Sequence, residues 1–148
     1  MFIVLLVGCV KSKPIVDVSP DVINAQLNGD SLYSISKHGD ITNINRGDAV
    51  TGYVNIKNES LSRQDIIVNI IDPVVDDGIN LPAPIEWLRV SDFEITLLPK
   101  QTYLDQFQVI TDSLPSINKH YSFWIVIKSK DDNFVNVTAA SRWYITFN

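Results

Sequence analysis

The sequence predicts an all-β fold, an antiparallel sandwich of about seven to nine strands with no disulfide. Three observations carry this expectation. From Ala49 onward apolar and polar residues alternate with a period of two, and no stretch repeats apolar residues at helical spacing over more than two turns. Turn signals rich in Gly, Pro, Asn and Asp recur at spacings of about 8 to 15 residues, which suits a sandwich or a barrel. The chain has a single cysteine, Cys9, so no thiol pair staples it and stability has to come from a core.

The elements follow in chain order. Val22 to Leu27, Ser31 to Ser36 and Ile41 to Ile44 read as edge strands broken by Gly29, Gly39 and Asn43. In Ala49 to Asn58, Val50, Gly52, Val54 and Ile56 share one face and Thr51, Tyr53, Asn55 and Lys57 the other, so one side is core and the other wet. Gln64 to Ile71 is apolar on both faces and is expected centrally in its sheet. Asp72 to Pro84, with three prolines and Asp77-Gly78, predicts a long irregular connection. Ile85 to Val90, Phe93 to Leu98 and Gln101 to Thr111 are three further strands, with Phe93, Ile95 and Leu97 on one face. Tyr121, Phe123, Ile125 and Ile127, then Trp143, Ile145 and Phe147, close the core, and Asn133 to Thr138 adds a short hairpin arm. A single domain over residues 15–148 is expected, its best-supported core spanning residues 46–147.

The 148 residues are long enough for one domain with a sizeable core, and 45% hydrophobic against 20% charged residues is too apolar for disorder. A net charge of -5 lacks the basic balance that drives nucleic-acid binding.

Met1 to Gly8 is an unbroken apolar run, and Leu6-Val7-Gly8-Cys9 resembles the lipobox of prokaryotic lipoproteins. The resemblance implies a signal-like segment over residues 1–8, a lipid on Cys9, a tether over residues 9–14, and an extracytoplasmic, membrane-anchored place at the cell surface or in the periplasm. No Lys or Arg precedes the run, and a buried first strand with an incidental cysteine is the other reading. The run is shorter than the roughly 20 residues a membrane-spanning helix needs.

The string from Arg46 to Asn58 looks like the opening of prokaryotic surface immunoglobulin-like domains, in which a Gly-Asp turn leads into a strand ending in Asn. Trp87 to Ser91 and Phe93 to Gln101 resemble the strand, turn and strand of immunoglobulin-like modules in cell-wall-associated proteins, with Lys100 where such modules carry Gly. An immunoglobulin-like β-sandwich is what the resemblance implies.

Candidate chemistry is sparse. Trp124, Tyr144 and Tyr53 form a possible binding surface, because Trp124 and Tyr144 point away from the core sets. Asp72, Asp76 and Asp77 are possible calcium ligands in a pattern that matches no known loop. Asn58 and Asn136 head glycosylation triplets, and Arg46-Gly47-Asp48 spells the tripeptide that integrins recognise, although a Gly-Asp turn is expected there on backbone grounds. With His38 and His120 the only histidines and no Gly-x-Ser-x-Gly or His-Glu-x-x-His, neither catalysis nor a cofactor is expected.

The function expected is therefore a non-enzymatic, lipid-anchored surface module that binds or adheres to a protein or envelope component. The alternatives are a filament or virion subunit that assembles by edge-strand donation from Val16 to Ile44, which implies a homo-oligomer, and a carbohydrate-binding module.

Overall fold

The computed structural model describes residues 13–71, 79–114, 118–131 and 137–148. The described chain opens with a bent hairpin. Its outer arm is β1 (Ile15–Val18) followed by β2 (Val22–Leu27); its inner arm is β3 (Asp30–Ser36) followed by β4 (His38–Ile44). Asn28 and Gly29 join the arms with φ values of 51° and 84°, the left-handed pair that a two-residue hairpin demands. Midway, both arms cross together from one sheet to the other. Ser19 N donates to His38 O at 2.9 Å and Lys37 N to Asp21 O at 2.8 Å, so the arms stay bonded through the crossing.

The remaining strands are β5 (Ala49–Asn58), β6 (Gln64–Ile71), β7 (Leu81–Pro82), β8 (Leu88–Val90), β9 (Glu94–Leu97), β10 (Thr102–Ile110), β11 (His120–Ser129) and β12 (Thr138–Phe147). They form two facing sheets. The larger runs β1-β4-β12-β11-β6-β9, with β7 also against β11; the smaller runs β2-β3-β5-β10-β8. Pairing is antiparallel except for β4 with β12 and β7 with β11. At the edge away from the hairpin, the run from β8 to β9 makes the same kind of crossing at Ser91 to Phe93, so strands that change sheets stitch the sandwich along both sides.

Period-two alternation explains the core. Val54 and Ile56 of β5, Ile66 and Val68 of β6, Phe107 and Val109 of β10, Phe123, Ile125 and Ile127 of β11, and Trp143 and Ile145 of β12 are all enclosed. At its centre Phe107 meets Trp143 edge-on at 4.7 Å and Phe123 at 5.8 Å. Two glycines make room for these rings. A Cβ on Gly39 would stand 2.3 Å from the Trp143 ring, and one on Gly52 would stand 2.3 Å from Phe107.

Four expectations need correction. The core is not limited to residues 46–147: Ala25, Tyr33, Ile35, Ile41 and Ile44 belong to it, so it begins well before residue 46. Of the leading strands only β1 and β2 are edges, while β3 and β4 each have partners on both sides, so the segment expected to be donated is paired within its own domain. Ile85 to Trp87 is a turn of 3-10 helix rather than strand, its Trp87 N bonded to Pro84 O at 3.0 Å. Phe93 lies at the crossing, 65% exposed, and does not join Leu97 in the core.

Candidate ligand-binding groove

The outer face of the larger sheet brings two of the expected binding residues, Trp124 and Tyr144, together. Trp124 on β11 stands directly across from Arg142 on β12, and Arg142 stands across from His38 on β4. The next row along is Ser122, Tyr144 and Asp40. The rows lie on one face because the same alternation that sends Phe123, Trp143 and Ile145 inward sends Trp124, Arg142 and Tyr144 outward. Trp124, Arg142, His38, Tyr144 and Asp40, with Ile23, Lys37 and Ala140, line a groove of about 460 Å³, more apolar than polar. The Arg142 guanidinium carbon sits 5.0 Å from the Tyr144 ring centre and 5.4 Å from that of Trp124, a cation–π arrangement that fixes the three side chains relative to one another.

Tyr53 does not belong to this surface. It projects from β5, on the outer face of the opposite sheet, 47% exposed. The three aromatic residues expected as one surface are thus a pair and a separate residue.

The Arg46-Gly47-Asp48 triplet is structural. The Arg46 guanidinium lies 4.0 Å from the Phe147 ring centre, with Tyr121 and Trp87 at 5.3 and 5.6 Å, and donates to Asn118 O at 2.9 Å. Asp48 accepts from Asn45 N at 2.9 Å and Gly47 takes a φ of 90°, so the side chains that an adhesion motif would present are held by the turn between β4 and β5.

Asn58 is equally committed. Its side chain is wholly enclosed, its Nδ2 donates to the carbonyls of Ser62, Leu97 and Leu98, and its Oδ1 accepts from Ser60 N and Oγ. The folded domain has no free amide there for a glycan, which corrects the glycosylation expectation at this position. Asn136, the candidate metal ligands Asp72, Asp76 and Asp77, and the candidate lipid-bearing Cys9 lie outside the described residues. Among the described residues no three His, Cys, Asp or Glu side chains gather as a metal site.

A carboxylate is also buried, away from the groove. Asp105 of β10 is fully enclosed on the core-facing side, with neither carboxylate oxygen in a hydrogen bond of ordinary geometry. Burial pushes its carboxyl up to about 6, a shift held down by the nearby backbone amides of Asp92 and Gln106. Next to it the Tyr103 hydroxyl donates to Asp92, and that bond raises the phenol to about 12. Closed to solvent beneath the β8–β9 crossing, Asp105 is not placed to meet a ligand.

No protein-family model and no curated protein matches the chain. Solved structures do. A PapD-like domain of human CEP192 (PapD-like domain 7) superposes with a TM-score of 0.60 at 10% identity, covering 79% of this chain and 85% of that one. The fold is an immunoglobulin-like β-sandwich. A structure from Bacteroides ovatus ATCC 8483 named as a "putative carbohydrate binding protein" superposes with a TM-score of 0.61 at 14% identity over 76% of this chain; the match spans 35% of that protein. At such identities the likeness is one of fold alone.

In this sandwich, sequence reasoning found two of the groove residues, Trp124 and Tyr144, and missed Arg142, His38, Asp40 and Lys37. Arg142 was within reach of the same argument, since it shares the parity of Tyr144. His38 and Asp40 were not, because only the parallel pairing of β4 with β12 brings them alongside.

Proposed function

We propose that the protein is a non-enzymatic binding module that holds a saccharide in the groove of Trp124, Arg142 and Tyr144. The observation that carries this reading is the pairing of two half-exposed aromatic rings on a rigid sheet face, flanked by the side chains of His38, Asp40 and Lys37, which supply hydrogen bonds for sugar hydroxyls. The carbohydrate-binding name of the Bacteroides ovatus neighbour supports it at the level of fold. The lipobox-like start supports a further element of the proposal, that the module is lipid-anchored through Cys9 at an extracytoplasmic surface.

The groove has a built-in reporter. Of the three tryptophans, Trp143 and Trp87 are buried and Trp124 is half-exposed. Titrating the domain with envelope oligosaccharides is expected to change Trp124 emission, and Trp124→Ala and Tyr144→Ala are each expected to weaken binding about tenfold or more, while Tyr53→Ala leaves it unchanged. Saccharide affinity equal in all four proteins overturns the reading, and retention of an envelope protein in place of any saccharide points to protein recognition. For the anchor, labelling with a lipid precursor is expected in the wild type and lost in Cys9→Ser.

A further inference from the structure

Resting on the saccharide reading, we infer that the groove is selective for carboxylated sugars and that Arg142 sets this selectivity. The chain as a whole is acidic, with 12 basic and 17 acidic residues. The groove departs from that balance. Lys37, His38 and Arg142 converge on it, against Asp40 within it and Asp17, which is paired with Asp40 on the outlying β1. Neutral sugars need aromatic faces and hydrogen-bonding groups, which Trp124, Tyr144 and Asp40 supply. Two permanent cations add nothing to that task, but they match a ligand that carries negative charge.

The placement of Arg142 points to a carboxylate. A guanidinium has its five donors in its own plane and matches a carboxylate with two parallel bonds. Contact with the Trp124 and Tyr144 rings restrains the guanidinium, which loses less freedom than an unpacked side chain when a ligand arrives. The row Trp124–Arg142–His38 crosses three neighbouring strands. Its length is two strand spacings, roughly 10 Å, wide enough for a sugar ring on Trp124 with its carboxylate on Arg142 and its hydroxyls toward the row of Tyr144 and Asp40.

The test uses a trimer of galacturonic acid, its fully methyl-esterified form and a neutral galactose trimer, each titrated against the full chain at low and at physiological salt. The wild type is expected to bind the acid at least about tenfold more tightly than the ester, the worth of one charge-assisted pair. Arg142→Gln is expected to bring acid and ester to within about twofold, and Arg142→Lys to recover only part of the preference, because an ammonium lacks the planar fork. The acid-to-ester comparison on the wild type needs no substitution and so stands even if an Arg142 variant misfolds. Equal affinity for acid, ester and neutral trimer overturns the selectivity while leaving the saccharide reading in place. Binding of none of the three, or of an acidic peptide alone, overturns both.

Discussion

Asp105 is where a single residue most clearly opposes the fold. It shares the inward parity of Phe107 and Val109, yet it places a carboxylate in the core. Its folded pKa of about 6 lies above the ordinary 3.8, so the folded state holds the proton more tightly than the unfolded chain. Its ionisation therefore costs nothing well below pH 4, costs progressively more as the pH rises toward 6, and reaches a plateau above that of at most ~3 kcal/mol. Asp105→Asn is expected to be more stable than the wild type at pH 7.5 and nearly equal to it at pH 4, as read by urea denaturation at the two pH values; equal stability at pH 7.5 would contradict the assignment. The core glycines are just as exacting. Gly39→Ala forces a methyl into the Trp143 ring and is expected to cost about 1–3 kcal/mol, and Gly52→Ala a similar amount against Phe107. Adding Phe107→Leu should cost less in a Gly52→Ala background than alone, a coupling that a double-mutant cycle measures. Lys100, with a φ of 63° in the turn closed by Gln101 N to Leu98 O, occupies the place where the cell-wall modules that the sequence resembles carry Gly, and Lys100→Gly relieves that strain.

At the scale of elements, period-two alternation was legible wherever one face is buried. Val50 to Ile56, Phe123 to Ile127 and Trp143 to Phe147 point inward as their pattern predicts. Sheet membership was not legible. A strand that changes sheets keeps its alternation across the change, and nothing at Ser36-Lys37-His38 marks the bend with a Gly or Pro. The Asn28-Gly29 pair was a readable hairpin signal, and Gly29 taken alone as a break concealed it. Gly39 and Asn43 likewise looked like interruptions. Gly39 is in fact a packing requirement, and Asn43, at φ 58°, lies in β4 opposite the register shift between Ile145 and Phe147. The outer arm, β1 with β2, covers what would otherwise be the free sides of β4 and β3 in the two sheets. A chain beginning at Asp30 is accordingly expected to lose thermal stability and to self-associate through those newly open strands, seen as a dimer or larger species by light scattering. An unchanged monomer would show the arm to be dispensable.

For the whole molecule, half of the groove could be read in advance. Trp124 and Tyr144 face outward by parity, but their neighbours from β4 lie about a hundred residues away in the chain and arrive only through tertiary pairing. The two faces of the sandwich then differ in kind. The larger sheet packs two aromatic rings against Arg142 in a groove, and the smaller carries a single ring, Tyr53, among Thr51, Asn55, Lys57, Leu104, Gln106 and Gln108. Binding is expected to be confined to the first of these faces, so that a bulky label on a cysteine at position 142 blocks saccharide and one at position 55 does not.

The parallel pairing of β4 with β12 also governs how the domain bears load. Ile15 lies opposite Thr42 and Phe147 opposite Ile44, so the chain enters and leaves the sandwich at the same pole. Tension applied between those two points peels strands apart sideways and breaks their hydrogen bonds one after another. Tension between the Asn28-Gly29 tip and Phe147 runs along the strands, shears β4 against β12 and has to break many bonds at once. Stretched between its two ends, the domain should yield at low force, and pulled between the hairpin tip and its carboxyl end it should resist far longer, a difference that single-molecule stretching along the two directions measures.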